Sequence, residues 1–383
     1  MAAALREHLS LSSSSRMLFR AHTLSNCGYY GPTGIKNWNE DRYIVEEWTM
    51  ANGTWTFAAI FDGHGGPDAA EFALQTLPSL VKDSLVALKL TENAHPDNQT
   101  VGRLISEAVV ATDLRIEREF TSLLSAGVEV LSDQEILAAI TCSDGVAIRP
   151  EALRAVSGTT ASIALIDPFK GVHLANLGDC DAVLYVPNAS GTGWKGQVLS
   201  AHHNCENKEE LERVKQEHIG EPHCVDHSRR FGRVLGSIVL TRALGDMPLK
   251  LPSIYNLSVF PLTRDNKEVN QNLVDYNLTP PYLSHIPEVS HAKCDRLEST
   301  FLIMASDGLL ERFKKVKPER SEMEILDYWV SVASKAQHQG ENMALDLLWE
   351  AFGGDSDGNI YTMVLDKSLQ DRVDDITIIV IPL

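Results

Sequence analysis

Apolar runs that end beside an acidic residue recur along the chain. Residues 55–61 form such a run, which predicts a buried strand, and it stops at Asp62. Further runs stop at Asp179 and Asp307, whereas the last run of the chain follows Asp374. Each acid alone is best explained as a turn residue. Short strands joined by turns favour an antiparallel sheet, and because strand ends of a packed sandwich lie at one rim, four such acids indicate a shared site.

Between these strands, apolar residues at helical spacing predict helices. The spacing covers residues 67–90, where Pro78 should kink or divide the helix, and residues 104–124. Two more helices are predicted within residues 322–352. Residues 247–285 are rich in proline and asparagine and lack periodicity, which predicts an insertion or a long surface loop. The whole pattern is that of an α+β protein.

A chain of 383 residues can form one large domain or two ordinary ones. No linker and no internal repeat interrupts the pattern, so we expect one domain over residues 28–383. Residues 1–27 are different, because they contain three arginines, a run of four serines and a single acidic residue. This composition is typical of an organellar transit peptide. A flexible terminus without a targeting role is the alternative.

Composition excludes several other classes of protein. The net charge is −18, and no basic stripe with interleaved aromatic residues is present, which argues against nucleic-acid binding. No apolar run approaches the roughly 20 residues that a transmembrane helix needs. The six cysteines are scattered without a Cys-x-x-Cys pair, which favours reduced thiols inside a cell. We therefore expect a mitochondrial location if the N-terminus is a transit peptide, and a cytoplasmic one otherwise.

The acidic set gains two members from Glu40 and Asp41, which precede a short β-prone segment. Clustered carboxylates repel each other unless cations neutralise them, and all-oxygen ligation suits Mg²⁺ or Mn²⁺. A two-cation site clamps the attacking and leaving oxygens of an in-line displacement, and it lowers the pKa of a bound water. The chemistry predicted from the acids is hydrolysis of a phosphate ester.

Six motifs resemble, in the same order, the motif series of the PPM-type (2C-type) metal-dependent Ser/Thr protein phosphatases. They extend over nearly the whole of residues 28–383. The resemblance implies an antiparallel β-sandwich flanked by helix pairs, in α-β-β-α layers, with a metal site at one rim. The motifs are Phe61-Asp62-Gly63-His64-Gly65-Gly66, Ser157-Gly158-Thr159-Thr160-Ala161, Asn176-Leu177-Gly178-Asp179, Thr241-Arg242-Ala243-Leu244-Gly245-Asp246, Ala305-Ser306-Asp307-Gly308 and Asp374-Asp375-Ile376-Thr377.

The same resemblance implies a role for each matching residue. Asp62 would bridge two Mg²⁺ or Mn²⁺ ions, and His64 would be the general acid that protonates the leaving serine or threonine oxygen. Lys36 and Thr160 match positions that serve substrate binding. The implied metal ligands are Glu40, Asp41 (in the outer shell), Asp62, Gly63 (through its carbonyl, directly or through water), Asp307 and Asp374, with Asp179 and Asp307 for a weaker third ion.

Within the family, residues 202–204, 209–213 and 278–283 resemble the pyruvate dehydrogenase phosphatases. That subgroup acts in the mitochondrial matrix, which favours the transit-peptide interpretation of residues 1–27. The resemblance also implies phosphorylated pyruvate dehydrogenase as the protein substrate. Two positions depart from the family pattern. Lys36 replaces an arginine, which keeps the charge but loses the bidentate fork. Asp181 replaces an arginine beside the site, which reverses a charge.

Two other functions remain open from the sequence. The chain could be a catalytically silent phosphatase-like scaffold, or it could hydrolyse small phosphorylated metabolites. A silent relative is expected to have lost carboxylate ligands. All of them are present here, so the sequence favours a metal-dependent protein phosphatase.

Overall fold

The computed structural model describes residues 39–354 and 374–383, with gaps at residues 93, 189–192, 229–231, 264–268, 295–299 and 340–341. It also gives the backbone of three short strands before residue 36. Lys36 and residues 1–19 lie outside the described part of the chain. The strands are β1 Arg20–Leu24, β2 Tyr30–Gly31, β3 Gly34–Ile35, β4 Arg42–Met50, β5 Gly53–Phe61, β6 Gly63–His64, β7 Gly158–Thr159, β8 Ala161–Ile166, β9 Gly171–Leu177, β10 Asp181–Pro187, β11 Trp194–Val198, β12 Val225–Asp226, β13 Arg233–Val234, β14 Leu244–Gly245, β15 Glu288–Lys293, β16 Phe301–Ala305 and β17 Ile376–Pro382.

Several of the α-helices begin where their sequences supply caps or acidic first turns. Asp97 and Asn342 accept hydrogen bonds from the first turns of the helices that follow them, and Ser132 with Glu135 forms a capping box. The helices are α1 Asp68–Ala87, α2 Asn98–Ser122, α3 Asp133–Ile140, α4 Pro150–Val156, α5 Lys208–Glu217, α6 Ser253–Ser258, α7 Gln271–Asp275, α8 Asp307–Val316, α9 Glu322–Gln339 and α10 Met343–Ala351.

Two five-stranded antiparallel sheets form the centre of the fold. Sheet I has the strand order β15-β9-β8-β5-β4, and sheet II has the order β1-β17-β16-β10-β11. The apolar faces of the two sheets pack on each other through residues such as Ile60, Leu174, Met304 and Ile379. Because each buried strand has apolar side chains on both faces, each sheet also binds helices on its outer face.

The outer faces are covered by different helices. Helices α1 and α2 pack on sheet I, around Trp55 and Phe57. Helices α8, α9 and α10 pack on sheet II, around Phe301 and Trp329. The layers are therefore helix, sheet, sheet, helix, which confirms the predicted α+β sandwich flanked by helices. Within the described residues, no helix is long and apolar enough to span a bilayer.

Three predictions of local structure need correction. Pro78 does not divide the first helix, because α1 continues through it from Asp68 to Ala87. The described part of residues 247–285 is not a long surface loop, because it contains α6, α7 and two short 3-10 helices and buries apolar side chains including Phe260, whereas the predicted insertion stays a prediction. The folded part also begins before residue 28, because β1 pairs with β17 in sheet II.

Candidate metal centre

Sheet I brings the first group of acids together at the end of β5. Arg42 pairs with Phe61 across β4 and β5, so Glu40 and Asp41, which precede β4, lie beside Asp62, which follows β5. Gly63 allows the segment after β5 to lie close to the segment before β4. A Cβ atom on Gly63 would lie 2.4 Å from the Glu40 carbonyl oxygen, so only glycine allows the two acidic segments to approach.

Sheet II brings the second group to the same rim. Asp307 follows β16 and begins α8, and Asp374 precedes β17, which pairs with β16 in antiparallel fashion. Gly308 again makes the approach possible, because a Cβ atom there would lie 2.5 Å from the Asp375 carbonyl oxygen. The Asp375 carboxylate then accepts a hydrogen bond of 2.8 Å from the Glu40 backbone N–H, which ties the two groups together.

Asp41 also links the two sheets at this rim. It is buried, and its Oδ2 accepts hydrogen bonds from the hydroxyls of Ser306 at 3.0 Å and Thr377 at 2.8 Å, both in sheet II or its connection to α8. Its Oδ1 is buried without a hydrogen-bond partner among the described residues. A buried carboxylate oxygen without a partner costs free energy, so this oxygen is available to a cation or to a water bound to one.

The acids raise one another's pKa values. Burial, and then the charges of Asp41, Asp307, Asp374 and Asp179, raise the pKa of Asp62 well above the usual aspartate range. Burial and then the neighbouring acids do the same for the pKa of Asp307. Burial and the nearby Asp375 charge raise the pKa of Asp41 to about 7. The residues thus form one group of carboxylates whose negative charges disfavour one another's ionisation.

This group fits a hard divalent cation by its donor chemistry. All of its side-chain donors are carboxylate oxygens, which Mg²⁺ and Mn²⁺ prefer, and one of them, the buried Asp41 Oδ1, has no hydrogen-bond partner among the described residues. Within the described residues, no group of three or more Asp, Glu, His or Cys side chains is arranged closely enough to hold a metal ion. The ligand roles of the seven residues, including that of the Gly63 carbonyl, therefore stay predictions.

Asp179 lies in the loop between β9 and β10, and its charge also acts on Asp62. It is partly buried, and its Oδ2 accepts a hydrogen bond of 3.1 Å from the Asn204 side chain. Two residues later, Asp181 is buried and contacts His202 Nε2 at 2.9 Å. Burial alone would lower the pKa of His202, but its hydrogen bond to Asp181 and the charge of that residue raise it to about 9. The negative charge that departs from the family pattern is thus compensated by a histidine.

His64 is held by a residue that the sequence analysis did not place in the site. Its Nε2 lies 2.7 Å from Asp246 Oδ2. Burial on its own would lower the pKa of His64, but the charge and hydrogen bond of Asp246 raise it. The contact needs Gly158, because a Cβ atom there would lie 2.2 Å from Asp246 Oδ2 and 2.3 Å from His64 Nε2. The available signal was the apolar run that ends in Gly245-Asp246.

Thr160 is close to Asp62, but it is buried. Its hydroxyl accepts a hydrogen bond of 3.1 Å from the Asp62 backbone N–H and lies 3.2 Å from Cys180 Sγ. Its backbone N–H donates to the Asp62 carbonyl at 2.9 Å. These contacts fix the backbone of Asp62. The predicted contact of Thr160 with substrate stays a prediction, as does that of Lys36, which lies outside the described residues.

The fold and its acidic rim define the class of protein. A family model described as protein phosphatase 2C matches residues 32–317, well over half of the chain. The chain therefore belongs to the protein phosphatase 2C family. A crystal structure of a serine-threonine phosphatase 2C from Toxoplasma gondii superposes with a TM-score of 0.60 at 16% identity, covering 97% of this chain and 96% of that one. At that identity, the superposition shows the shared fold.

Curated relatives narrow the comparison within the family. The mitochondrial pyruvate dehydrogenase phosphatase 2 of Homo sapiens is 30% identical over 302 residues, covering 70% of this chain and 56% of the relative. The mitochondrial pyruvate dehydrogenase phosphatase 1 of Saccharomyces cerevisiae is 28% identical over 263 residues, covering 67% of this chain and 41% of the relative. The chain thus matches about half of the length of these relatives.

Proposed function

We propose that the chain hydrolyses phosphoserine and phosphothreonine in proteins at a site with two divalent cations, Mg²⁺ or Mn²⁺. The observation that carries the proposal is the meeting of acids from both sheets at one rim, where the buried Asp41 oxygen has no hydrogen-bond partner among the described residues. Membership of the protein phosphatase 2C family supports the reaction class.

The residues that would hold the cations are those predicted from the sequence. Asp62 would bridge the two ions, Asp307 and Asp374 would complete the first, and Glu40 with the Gly63 carbonyl would serve the second. Asp179 would join Asp307 at a weaker third ion. When bound, the cations would supply an activated water and neutralise charge on the phosphoryl oxygens. The carboxylates would set the positions of the cations. Gly63 and Gly308 allow the segments that carry these carboxylates to lie close together, because a Cβ atom at either position would collide with the neighbouring backbone.

In this proposal, His64 donates the proton that the leaving oxygen needs. In the protonated ring, Nε2–H would donate to the Asp246 carboxylate, so the proton on Nδ1 would be the one that passes to a serine or threonine oxygen. The charge and hydrogen bond of Asp246 also raise the pKa of His64 against the effect of burial, which favours the protonated ring. Asp246 thereby both orients the ring and supports its charge.

The chemistry is tested by hydrolysis of a phosphothreonine peptide with and without Mn²⁺. We expect Mn²⁺-dependent turnover in the wild type and a loss of at least about 100-fold in Asp62→Asn and in Asp307→Asn, because each removes a charge from the cation site. Asp167→Asn is the matched control. It changes a buried aspartate beyond the opposite end of β8 and should keep its activity. Undiminished turnover in Asp62→Asn would refute the proposed site.

We further propose phosphorylated pyruvate dehydrogenase as the protein substrate and mitochondria as the location. Support comes from the two relatives named above, which are mitochondrial pyruvate dehydrogenase phosphatases by name. The test compares rates on phosphorylated pyruvate dehydrogenase, on an unrelated phosphoprotein and on small phosphorylated metabolites. A preference for the metabolites would favour the alternative from the sequence. Since β1 begins at Arg20, a transit peptide would have to be cleaved before that residue, which N-terminal sequencing of the cellular protein would reveal.

A further inference from the structure

The segment that carries Asp246 is anchored by a buried ion pair outside the acidic rim. Asp113 lies on α2, and Lys250 follows the 3-10 helix Met247–Leu249; both are buried. Lys250 Nζ lies 2.8 Å from Asp113 Oδ1 and 2.9 Å from Oδ2. His285 Nδ1 contacts Asp113 Oδ2 at 2.8 Å. None of these residues belongs to the predicted site.

The ion pair binds the backbone on the N-terminal side of Asp246. Asp113 Oδ1 accepts a hydrogen bond of 2.8 Å from the Gly245 N–H, and Lys250 Nζ donates one of 2.7 Å to the Ala243 carbonyl oxygen. The two charges therefore hold the segment at two points, three residues and one residue before Asp246. Because both charges are buried and paired, either would be left uncompensated by removal of the other.

The segment needs such an anchor because the backbone conformation of Asp246 is unfavourable for a residue with a Cβ atom. Asp246 has φ 51°, in the left-handed region that residues with a Cβ atom rarely adopt, and Gly245 before it has φ 74°. Such conformations persist where the surrounding structure determines them, and they cluster at functional sites. The Asp246 N–H also donates to the Ser157 carbonyl at 2.9 Å, and Gly245 pairs with Gly158 across β14 and β7. Asp113 and Lys250 add side-chain hydrogen bonds to Gly245 and Ala243.

The contact between His64 and Asp246 has little room to adapt. It lies directly over Gly158, where even a methyl group would collide with both side chains. A small shift of the Asp246 backbone would therefore lengthen the 2.7 Å contact with His64. Resting on the proposed function, we infer that Asp113 and Lys250 are positioning residues for proton donation, acting through Asp246 on His64.

The test separates proton donation from general damage by the choice of leaving group. A phosphothreonine peptide has a poor alkoxide leaving group that needs a proton, whereas p-nitrophenyl phosphate has a good one that does not. For Lys250→Met and Asp113→Asn, we expect kcat on the peptide to fall at least about tenfold, a part of the 10²–10⁴-fold that general acid catalysis supplies. The kcat on p-nitrophenyl phosphate should change less than about threefold.

The controls distinguish this inference from the proposed function and from misfolding. Asp167→Asn also removes a buried charge that contacts a histidine, His173, but far along β8 from Asp62, and it should not change the ratio of the two rates. An equal loss on both substrates in Lys250→Met, or no loss, would overturn the positioning role. A wild type without Mn²⁺-dependent activity would overturn the proposed function and this inference with it.

Lys250→Met can fail to fold, which a thermal unfolding curve would reveal. His285→Gln then replaces it, because His285 contacts Asp113 from the partly exposed side and its side chain is 28% exposed. We expect the same selective loss on the peptide, smaller in size. A loss that is equal on both substrates in His285→Gln overturns the inference. Lys250→Arg keeps the charge and should retain more peptide activity than His285→Gln.

Discussion

Single glycines determine how closely the functional side chains approach one another. Gly158 is the clearest case, since a methyl group there would meet both His64 and Asp246. We predict that Gly158→Ala lowers the rate on a phosphothreonine peptide at least about tenfold, because it forces His64, the proposed general acid, away from Asp246. Overpacking should also cost about 1–3 kcal/mol of unfolding free energy.

Steady-state rates and urea unfolding of Gly158→Ala check this prediction. Gly196→Ala is the matched control, because Gly196 lies in β11 and its new methyl group would meet side-chain atoms of Tyr185, the nearest at 3.0 Å, and of Val183 at 3.5 Å, but no residue of the proposed site. That variant should keep its peptide activity. A Gly158→Ala enzyme with wild-type turnover would show that the contact between His64 and Asp246 is not needed.

The sequence was most informative about residues whose role is local. An apolar strand that stops at an acid followed by glycine predicted Asp62 and Asp307 at one rim, and β5 and β16 place both there. Asp246 was missed as the partner of His64 because the two are 182 positions apart. No local pattern encodes the left-handed backbone of Asp246 or the buried pair of Asp113 and Lys250.

At the scale of elements, α5 is joined to the segment before β14 by a second buried network. Glu210 on α5 accepts hydrogen bonds from Arg242, Arg213 and the Thr241 hydroxyl. Burial alone would raise the pKa of Glu210, but these donors lower it far below the usual glutamate range. The network therefore stabilises the fold whenever Glu210 is ionised.

Glu210→Gln should lower the free energy of unfolding at pH 7 by about 3–5 kcal/mol, because it leaves two arginines without their buried partner. A carboxylate with a depressed folded pKa contributes its stability above its ordinary pKa and loses it as the pH falls through the folded pKa. The difference between wild type and Glu210→Gln should thus shrink below about pH 4.5, the ordinary value.

Urea unfolding at pH 7 and at pH 3 measures this difference. Glu217→Gln is the control on the same helix, because Glu217 also contacts Arg213 but its side chain is 49% exposed. Exposed ion pairs contribute about 0–1 kcal/mol, so this variant should remain close to wild type at both values of pH. A constant difference for Glu210→Gln across the pH range would contradict the ionic account of the network.

At the scale of the whole molecule, the boundary of the fold lies before residue 28. Strand β1 pairs with β17 over five residues and contacts α10. We predict that a chain starting at residue 28 unfolds at lower urea concentration than one starting at residue 20. The expected loss is about 2–5 kcal/mol, at roughly 0.5–1.5 kcal/mol for each lost backbone hydrogen bond. Equal midpoints for the two chains would show that β1 contributes nothing.

The sandwich itself could be predicted from the sequence, because buried strands and amphipathic helices leave periodic patterns. The helices within residues 247–285 could not be predicted from the sequence. They are short, lack a periodic apolar pattern and are stabilised by tertiary contacts. Phe260 and Leu251 there pack against α2, α3 and α4 through partners distant in the chain. Strand β1 could not be predicted either, because the composition around it is typical of a transit peptide. It forms a strand through its antiparallel pairing with β17, which is distant in the sequence.

The central claim is that the acidic rim binds divalent cations, and calorimetric titration of Mn²⁺ into the metal-free protein tests it most directly. We expect about two ions bound per chain, as in the two-cation mechanism, in the wild type and in Asp167→Asn. We expect Asp62→Asn, which removes the proposed bridging carboxylate, to lose this binding. A wild type that binds no Mn²⁺, or an Asp62→Asn variant that binds it as the wild type does, would contradict the proposed cation site.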